Sequence, residues 1–334
     1  MQRSYTVIRQ VRRPHGTPRP ADFSLTSLPM PRPVAGQALV ENIYLSVDPY
    51  MRELMDAGGW DMGAGLEGRT IGRVIKSYEP TLPVGALVFH RHGWRTHALL
   101  AAGEGRLLNV PDGVPLSAFL GILGGTGLTA YIGLTRIAHL QPGEDLFVSA
   151  AAGAVGSAVG QIARLLGAGT LIGSTGSAAK AEHLTHRLGF DIAIDRSRGP
   201  IADLLAEAVP KGIDVYFDNV GGDHLAAAIG ALRAHGRVAW SGAVAQYDSL
   251  DAPPPAPHNL FDVVGKSLRI EGFLVREYTD VQPEFEQFLL PHVRSGQVRV
   301  DETIVDGIEH TVEAFIAMLR GDNTGKMLVR VAQV

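Results

Sequence analysis

The sequence predicts an α/β protein: a doubly wound, six-stranded parallel sheet domain joined to a mostly β domain. Three observations predict it. The apolar run at 145–149 leads into the small-residue turn Ala150-Ala151-Ala152-Gly153-Ala154-Val155-Gly156-Ser157, and Val155, Val159, Ile162 and Leu166 then recur at helical spacing. Beyond that helix, short β-branched or apolar runs alternate with helical stretches as far as Val275. Strand and helix in alternation argue a parallel sheet with crossover helices. Before residue 120, by contrast, β-like runs are separated by Gly and Pro turns.

Taken in order, residues 38–47, 70–77 and 86–89 read as strands of the β domain. Residues 126–140 form a helix leading into the sheet. The sheet strands are 145–149, 170–174, 191–195, 213–219, 237–241 and 268–275. Helices are expected at 155–166, 178–188, 201–209, 224–233 and 259–266. After Leu290 the pattern changes, with strands at 298–305 and 326–331 flanking a helix at 311–319. These last pieces are too short to stand alone, so they are expected to rejoin the N-terminal β domain. The Pro-rich stretch 252–257 reads either as a stiff loop over the site or as a plain connection.

Strand, small-residue turn and helix is the setting of a dinucleotide fingerprint. Glycines there let the backbone approach a pyrophosphate, and the helix N-terminus offers unpaired N–H groups. The first glycine position of that pattern is Ala151 here. NAD-binding sheets place an acid about 20 residues on, against the ribose 2′-hydroxyl. The second strand instead ends Ile172-Gly173-Ser174-Thr175-Gly176-Ser177, with Lys180 following. A carboxylate would repel a 2′-phosphate, whereas hydroxyls and a cation hold one. The expected cofactor is NADP(H), with Arg196 a second phosphate cation.

The 334 residues suit two domains, and 46% are hydrophobic, enough for a full core. A net charge of −4 with mixed signs leaves no basic footprint for nucleic acid. Cys is absent, which excludes disulfides, a thiol nucleophile and a Cys-ligated zinc site. No apolar stretch approaches a membrane span, and residues 1–20 lack a secretory pattern. A cytoplasmic protein with no membrane partner is expected. His90, His92 and His97 lie close together, but no neighbouring acid or Cys completes a metal set, and no metal is expected. Asp48 before Pro49 reads as fixing a turn.

Five segments carry a resemblance. They are Tyr44-Leu45-Ser46-Val47-Asp48-Pro49-Tyr50-Met51-Arg52, Gly127-Leu128-Thr129-Ala130-Tyr131, the turn 150–157, Tyr216-Phe217-Asp218-Asn219-Val220-Gly221-Gly222 and Gly321-Asp322-Asn323-Thr324-Gly325-Lys326. In order and spacing the chain resembles the zinc-independent medium-chain dehydrogenase/reductases. The branch it is most similar to is the prostaglandin reductase, or leukotriene B4 12-hydroxydehydrogenase, family, which includes NADPH-dependent alkenal/one double-bond reductases. The resemblance implies a Rossmann NADP(H)-binding domain at 126–294 and a discontinuous GroES-like substrate domain at 1–125 and 295–334. It implies cofactor contacts at Gly153, Ala154, Val155, Gly156, Lys180, Asn219, Ser241, Tyr247, Phe273, Leu274, Val275 and Asn323. Arg196 stands where the family often has a Tyr near the same phosphate. Tyr50 and Tyr247 match tyrosines lining the substrate cleft and are the candidate catalytic residues.

The implied reaction reduces the C=C bond of an α,β-unsaturated aldehyde or ketone, with hydride added at the β-carbon and a proton at the α-carbon. Tyr247 is the candidate for orienting the carbonyl or relaying that proton, or else only walls the nicotinamide. A quinone oxidoreductase on the same scaffold is the alternative enzyme, and a nucleotide-binding scaffold or sensor the non-enzymatic one. A homodimer is expected, paired through the sixth strand if that strand lies at a sheet edge.

Overall fold

A computed structural model of the chain describes residues 4–56, 58–247 and 256–334. The chain divides into two compact units: Met1–Leu120 with Glu302–Asn323 and Met327–Val334, and Gly121–Asp301 with Thr324–Lys326.

The first unit opens with β1 (Ser4–Gln10) antiparallel to β2 (Phe23–Pro29). Then come β3 (Gln37–Ser46), the single turn α1 (Met51–Leu54), β4 (Thr70–Ser77), β5 (Leu87–His90), β6 (His97–Ala101) and β7 (Arg106–Leu107). β3 is the longest of these and is buried along most of its length, because β4 and β6 both pair with it. Its core joins Leu45, Val47 and Met51 to Trp60, Trp94 and Phe315.

The second unit holds α2 (Gly125–Ile132), β8 (Leu146–Val148), α3 (Ala154–Leu165), β9 (Leu171–Thr175), α4 (Ala178–Arg187), β10 (Ile192–Asp195), α5 (Ile201–Ala208), β11 (Ile213–Asp218) and α6 (Gly222–Ala231). It continues with β12 (Leu232–Trp240), α7 (Phe261–Gly265), β13 (Arg269–Gly272) and α8 (Gln282–Arg294). The six strands run in the order β10-β9-β8-β11-β12-β13, all parallel. This is the doubly wound order, and it reverses between β8 and β11, where such sheets bind ligands at their carboxyl ends. Alternation along the strands sorts the core by face. Phe147 stacks on Tyr216 beside Ile201, Leu205 and Leu225, whereas Phe217 turns to the other face and meets the backbone at Gly133.

The chain then returns to the first unit through β14 (Glu302–Asp306), α9 (Thr311–Leu319) and β15 (Lys326–Arg330), giving the sheet order β14-β15-β3-β4-β5-β7. No helix among the described residues is long and apolar enough to cross a membrane.

Several bounds differ from the sequence pattern for identifiable reasons. The helix expected through 140 ends as α-helix at Ile132 and loosens into a π turn at Gly133–Ile137. A Cβ on Gly133 would sit 2.3 Å from the Phe217 ring, so the backbone itself packs on the sheet there. β12 begins at Leu232, ahead of the expected 237. Its pairing with β11 shifts register after Leu232, and His235 takes a positive φ of 63°, so the first half carries no regular alternation. The last strand is shorter than 268–275, because the chain leaves it after Gly272 for a 3₁₀ turn at Val275–Val281. β14 starts at Glu302, later than the expected 298. Of the Pro-rich stretch 252–257, all but Ala256 and Pro257 lies outside the described residues.

Candidate cofactor site and tyrosines

The site in the second unit starts at the turn after β8. Ala150 adopts a left-handed φ of 48°, which costs an alanine about 1–2 kcal/mol relative to glycine. The tight-turn conformation therefore falls one residue before Ala151. Ala151 N donates to Ser174 O at 2.9 Å, and Gly153 N donates to Ala150 O at 2.9 Å. Gly153 caps α3, and Ala154 and Val155 begin it, so their N–H groups belong to the unpaired first turn. A Cβ on Gly156 would lie 2.4 Å from Ala150 O and 2.5 Å from Ala151 Cα. Helix and turn thus touch backbone to backbone, the close approach a pyrophosphate cradle needs. A Cβ on Gly173 of β9 would meet the Ala151 methyl at 2.7 Å. The methyl that replaces a glycine at Ala151 is accommodated by that missing side chain. Gly160, on the same helix, packs against the Phe190 ring. Gly325 N donates to Ala152 O at 2.9 Å, tying Thr324–Lys326 to the turn.

No acid ends β9. Ser177 caps α4 and accepts from Lys180 N at 3.4 Å, placing Lys180 on the first turn of that helix. β10 pairs with β9 so that Asp195 lies opposite Thr175, and Arg196 follows at once. The Arg196 guanidinium comes within 3.7 Å of the position a Cβ would take on Gly176. Asp195 holds the N–H and hydroxyl of Ser197 on its Oδ1. The strand end is therefore suited to an anion.

At the switch point, Asn219 ties three strand ends together. Its Nδ2 donates to Ser149 O at 2.8 Å, its N–H donates to Ser149 Oγ at 2.9 Å, and its Oδ1 accepts from Ser241 Oγ at 2.9 Å. Asp218 beneath it is fully buried. Its Oδ1 accepts from Tyr216 Oη, Ser149 Oγ and the N–H groups of Val220 and Gly221. Burial raises the Asp218 carboxyl above its usual range, opposed by the Gly221 and Val220 N–H groups and by the two hydroxyls. The supporting roles of Ser149 and Asp218 are not marked by the sequence pattern, although both stand at strand ends. Ser241 follows β12, and Tyr247 closes a short 3₁₀ turn at Val244–Gln246. Its hydroxyl accepts from Ala243 N at 3.4 Å and lies within 3.3 Å of the position of a Cβ on Gly242. Past β13, Phe273 is buried edge-on against Phe217, Leu274 is exposed, and Val275 opens the next turn.

In the first unit, Tyr50 stands at the start of α1 with the Arg69 guanidinium 5.6 Å from its ring centroid. Its hydroxyl is buried without a hydrogen-bond partner among the described residues, and burial together with Asp48 pushes the phenol up to about 12. Asp48 accepts from Ser46 Oγ at 2.6 Å, and its carbonyl accepts from Met51 N at 3.1 Å, so it shapes the turn into α1. Tyr50→Phe removes only an unsatisfied hydroxyl. Its melting temperature is expected to match or exceed the parent's, by up to about 1 kcal/mol of stability. A clear loss of stability would show that the hydroxyl is engaged. His90 is buried between Asn42 Oδ1 and His92 N, and burial lowers it to about 3. It is a neutral structural imidazole. Among the described residues no group of three or more His, Cys, Asp or Glu is placed to hold a metal. Asn323 is buried in the turn between α9 and β15.

Comparison with known proteins places this architecture. The family described as the N-terminal domain of oxidoreductase matches residues 7–108, and that described as zinc-binding dehydrogenase matches residues 154–294. The NADPH-dependent curcumin reductase of Escherichia coli is 37% identical over 330 residues, covering 96% of this chain and 95% of that protein. Prostaglandin reductase 1 of Rattus norvegicus is 39% identical over 319 residues, covering 94% and 95%. The crystal structure of CurA from Vibrio vulnificus in complex with NADPH superposes with a TM-score of 0.93 at 33% identity, covering 98% of this chain and all of that one. An Escherichia coli quinone oxidoreductase shares the fold at only 21% identity, with a TM-score of 0.78. With two such domains, relatives matched along almost their whole length and no cysteine to bind zinc, the chain belongs to the zinc-independent medium-chain dehydrogenase/reductases, in the prostaglandin reductase family.

Proposed function

We propose that this protein uses NADPH to reduce the C=C bond of α,β-unsaturated aldehydes or ketones. One observation carries the cofactor half of the reading: β9 ends without an acid of its own, followed by Lys180 on the first turn of α4 and with Arg196 after β10 against Gly176. The glycine turn fits a pyrophosphate, since a Cβ at Gly156 would fill the space where helix and turn meet. The names of the relatives support the substrate half: curcumin reductase, prostaglandin reductase, and the NADP(+)-dependent 2-alkenal reductase of Nicotiana tabacum.

When bound, NADPH supplies the hydride. The chain's own residues have three tasks. The α3 N-terminus and the turn hold the pyrophosphate through N–H groups. Lys180 and Arg196 hold the 2′-phosphate by charge-assisted hydrogen bonds. Tyr247, at the carboxyl end of β12, donates its hydroxyl toward the carbonyl oxygen, where negative charge grows as hydride reaches the β-carbon. A phenol remains protonated at neutral pH and acts there as a donor. A donor fixed for that charge stabilises the transition state more than the ground state. Tyr50 is assigned to the substrate wall.

The test is loss of NADPH absorbance with an alkenal, an enone and a quinone supplied separately. Turnover of the first two ahead of the quinone is the expected result. Turnover of the quinone alone reassigns the protein as a quinone oxidoreductase, and no turnover with any of them favours a binding protein. Lys180→Ala should weaken NADPH binding by about 1.5–3 kcal/mol and leave NADH binding nearly unchanged. Equal losses for both cofactors, measured by titration, would make Lys180 a structural residue.

A homodimer is assigned to the β13 edge of the sheet. Among the described residues β13 is an edge strand with one unpaired side, and α7 just before it exposes Phe261 by 80% and Val264 by 71%. An open edge beside exposed apolar side chains marks a pairing surface. Light scattering should give twice the 35.6 kDa chain mass, and Val264→Asp should return the single-chain value. A monomeric parent protein would overturn the assignment.

A further inference from the structure

A polar pair lies below the end of β9 that the reaction leaves unused. His224, the third residue of α6, is only 8% exposed, and its Nε2 lies 3.2 Å from Ser174 Oγ. Ser174 is buried on β9, and its carbonyl accepts the Ala151 N–H of the glycine turn. The imidazole therefore rests on the strand residue that also anchors the pyrophosphate cradle. Nδ1 of His224 has no hydrogen-bond partner among the described residues. The small exposed remainder of the residue lets solvent reach that nitrogen, through which the ring can take up a proton.

The charges acting on His224 come from two elements. Arg196, after β10, lies against Gly176 at the end of β9, and Asp223 is the preceding residue of α6. Burial lowers the imidazole to about 4, Arg196 pushes it further the same way, and Asp223 opposes them. In the free protein His224 is thus a neutral ring at neutral pH, held in place by Ser174.

We propose that His224 is a specificity-determining residue for the phosphorylated-ribose end of the cofactor, taking up a proton as the 2′-phosphate settles beside Arg196. The inference rests on the NADPH reading given above. A phosphate at Arg196 offsets the cation that acts on His224 and adds its own attraction. An opposite charge at about 4–6 Å moves a titrating group by about 1–3 pH units. The imidazole of the NADPH complex then titrates above that of the free protein. Binding gains affinity as pH falls through the value in the complex, and the gain is absent well above it. NADH has no 2′-phosphate and should show no such gain.

The experiment is calorimetric titration with NADPH and with NADH in two buffers of different ionisation enthalpy, which counts the protons taken up on binding. The parent protein is compared with His224→Gln and His224→Phe, the second filling the buried space without ring nitrogens. The 2′-phosphate itself titrates near about pH 6. That contribution is common to all three proteins and cancels in the comparison. At about pH 5 the parent should take up more protons with NADPH than either variant, and its affinity gain from pH 7 should exceed theirs by roughly tenfold. Equal proton counts in all three, with NADPH still bound, overturn the role of His224 alone. The same difference with NADH overturns the link to the 2′-phosphate. No NADPH binding by the parent overturns the cofactor reading and this inference with it.

Discussion

Gly156→Ala should lose both stability and NADPH affinity, although glycine-to-alanine changes inside helices usually stabilise. Helix propensity alone favours alanine by about 1 kcal/mol. Here the added methyl would sit 2.4 Å from Ala150 O and 2.5 Å from Ala151 Cα, both of them backbone atoms that no side-chain rotation can move aside. Either α3 or the turn must shift, at an overpacking cost of about 1–3 kcal/mol. The shift displaces the N–H groups assigned to the pyrophosphate. Each charge-assisted hydrogen bond lost there costs about 1.5–3 kcal/mol of binding. Gly153→Ala is the internal control, since its methyl would meet only Ala150 O, at 3.2 Å. The expected order of NADPH dissociation constants is parent, Gly153→Ala, then Gly156→Ala with a large gap. Denaturant melts and fluorescence titration of the three proteins check it. Equal affinity in the parent and Gly156→Ala would remove the pyrophosphate from this turn.

Why the sheet was legible and other parts were not follows from what each element buries. β8 and β11 are buried through their centres, so they read as short apolar runs, Leu146–Val148 and the stretch 215–217. α3 was legible because Val159 and Ile162 recur on its buried face. α8 is different. Phe285, Leu289 and Val293 repeat at four-residue spacing on its buried side, but Pro291 sits inside the helix and masks the signal. The β1–β2 hairpin is joined by the twelve residues between Gln10 and Phe23, and β2 exposes every second side chain. A long connection and a half-solvated strand give the sequence little to mark.

The site shows the same division. Local chemistry such as the missing acid at the end of β9, or Lys180 three residues after a capping Ser177, is carried by neighbours in sequence. Ser149 and Asp218 meet Asn219 and Ser241 only because β8, β11 and β12 end side by side. The pair His224 and Ser174 is 50 residues apart in the chain and is created where the start of α6 meets the end of β9. No periodicity marks contacts of that kind, since they depend on strand order rather than spacing.

Tyr247→Phe tests the chemistry most directly. The tyrosine follows Ser241 by six residues on the loop leaving β12, at the carboxyl end of the sheet. Its hydroxyl reaches Ala243 N at 3.4 Å, a long contact whose loss should cost little stability. The ring remains in Tyr247→Phe, so NADPH affinity should stay nearly constant. If the hydroxyl donates to the growing enolate oxygen, kcat on an enone should fall by roughly tenfold to a thousandfold, the scale of one lost proton-transfer or oxyanion contact. Hydride transfer to a quinone also builds charge on oxygen, so a donor to that oxygen should slow both substrates, whereas a hydroxyl that only relays a proton to the α-carbon should slow the enone alone. Stopped-flow rates with both substrates separate the oxygen donor from the relay, and a mere wall leaves both nearly unchanged. Unchanged enone turnover in the Phe variant would reduce Tyr247 to a wall, and proton delivery to the α-carbon would then fall to water or to a ribose hydroxyl of the cofactor.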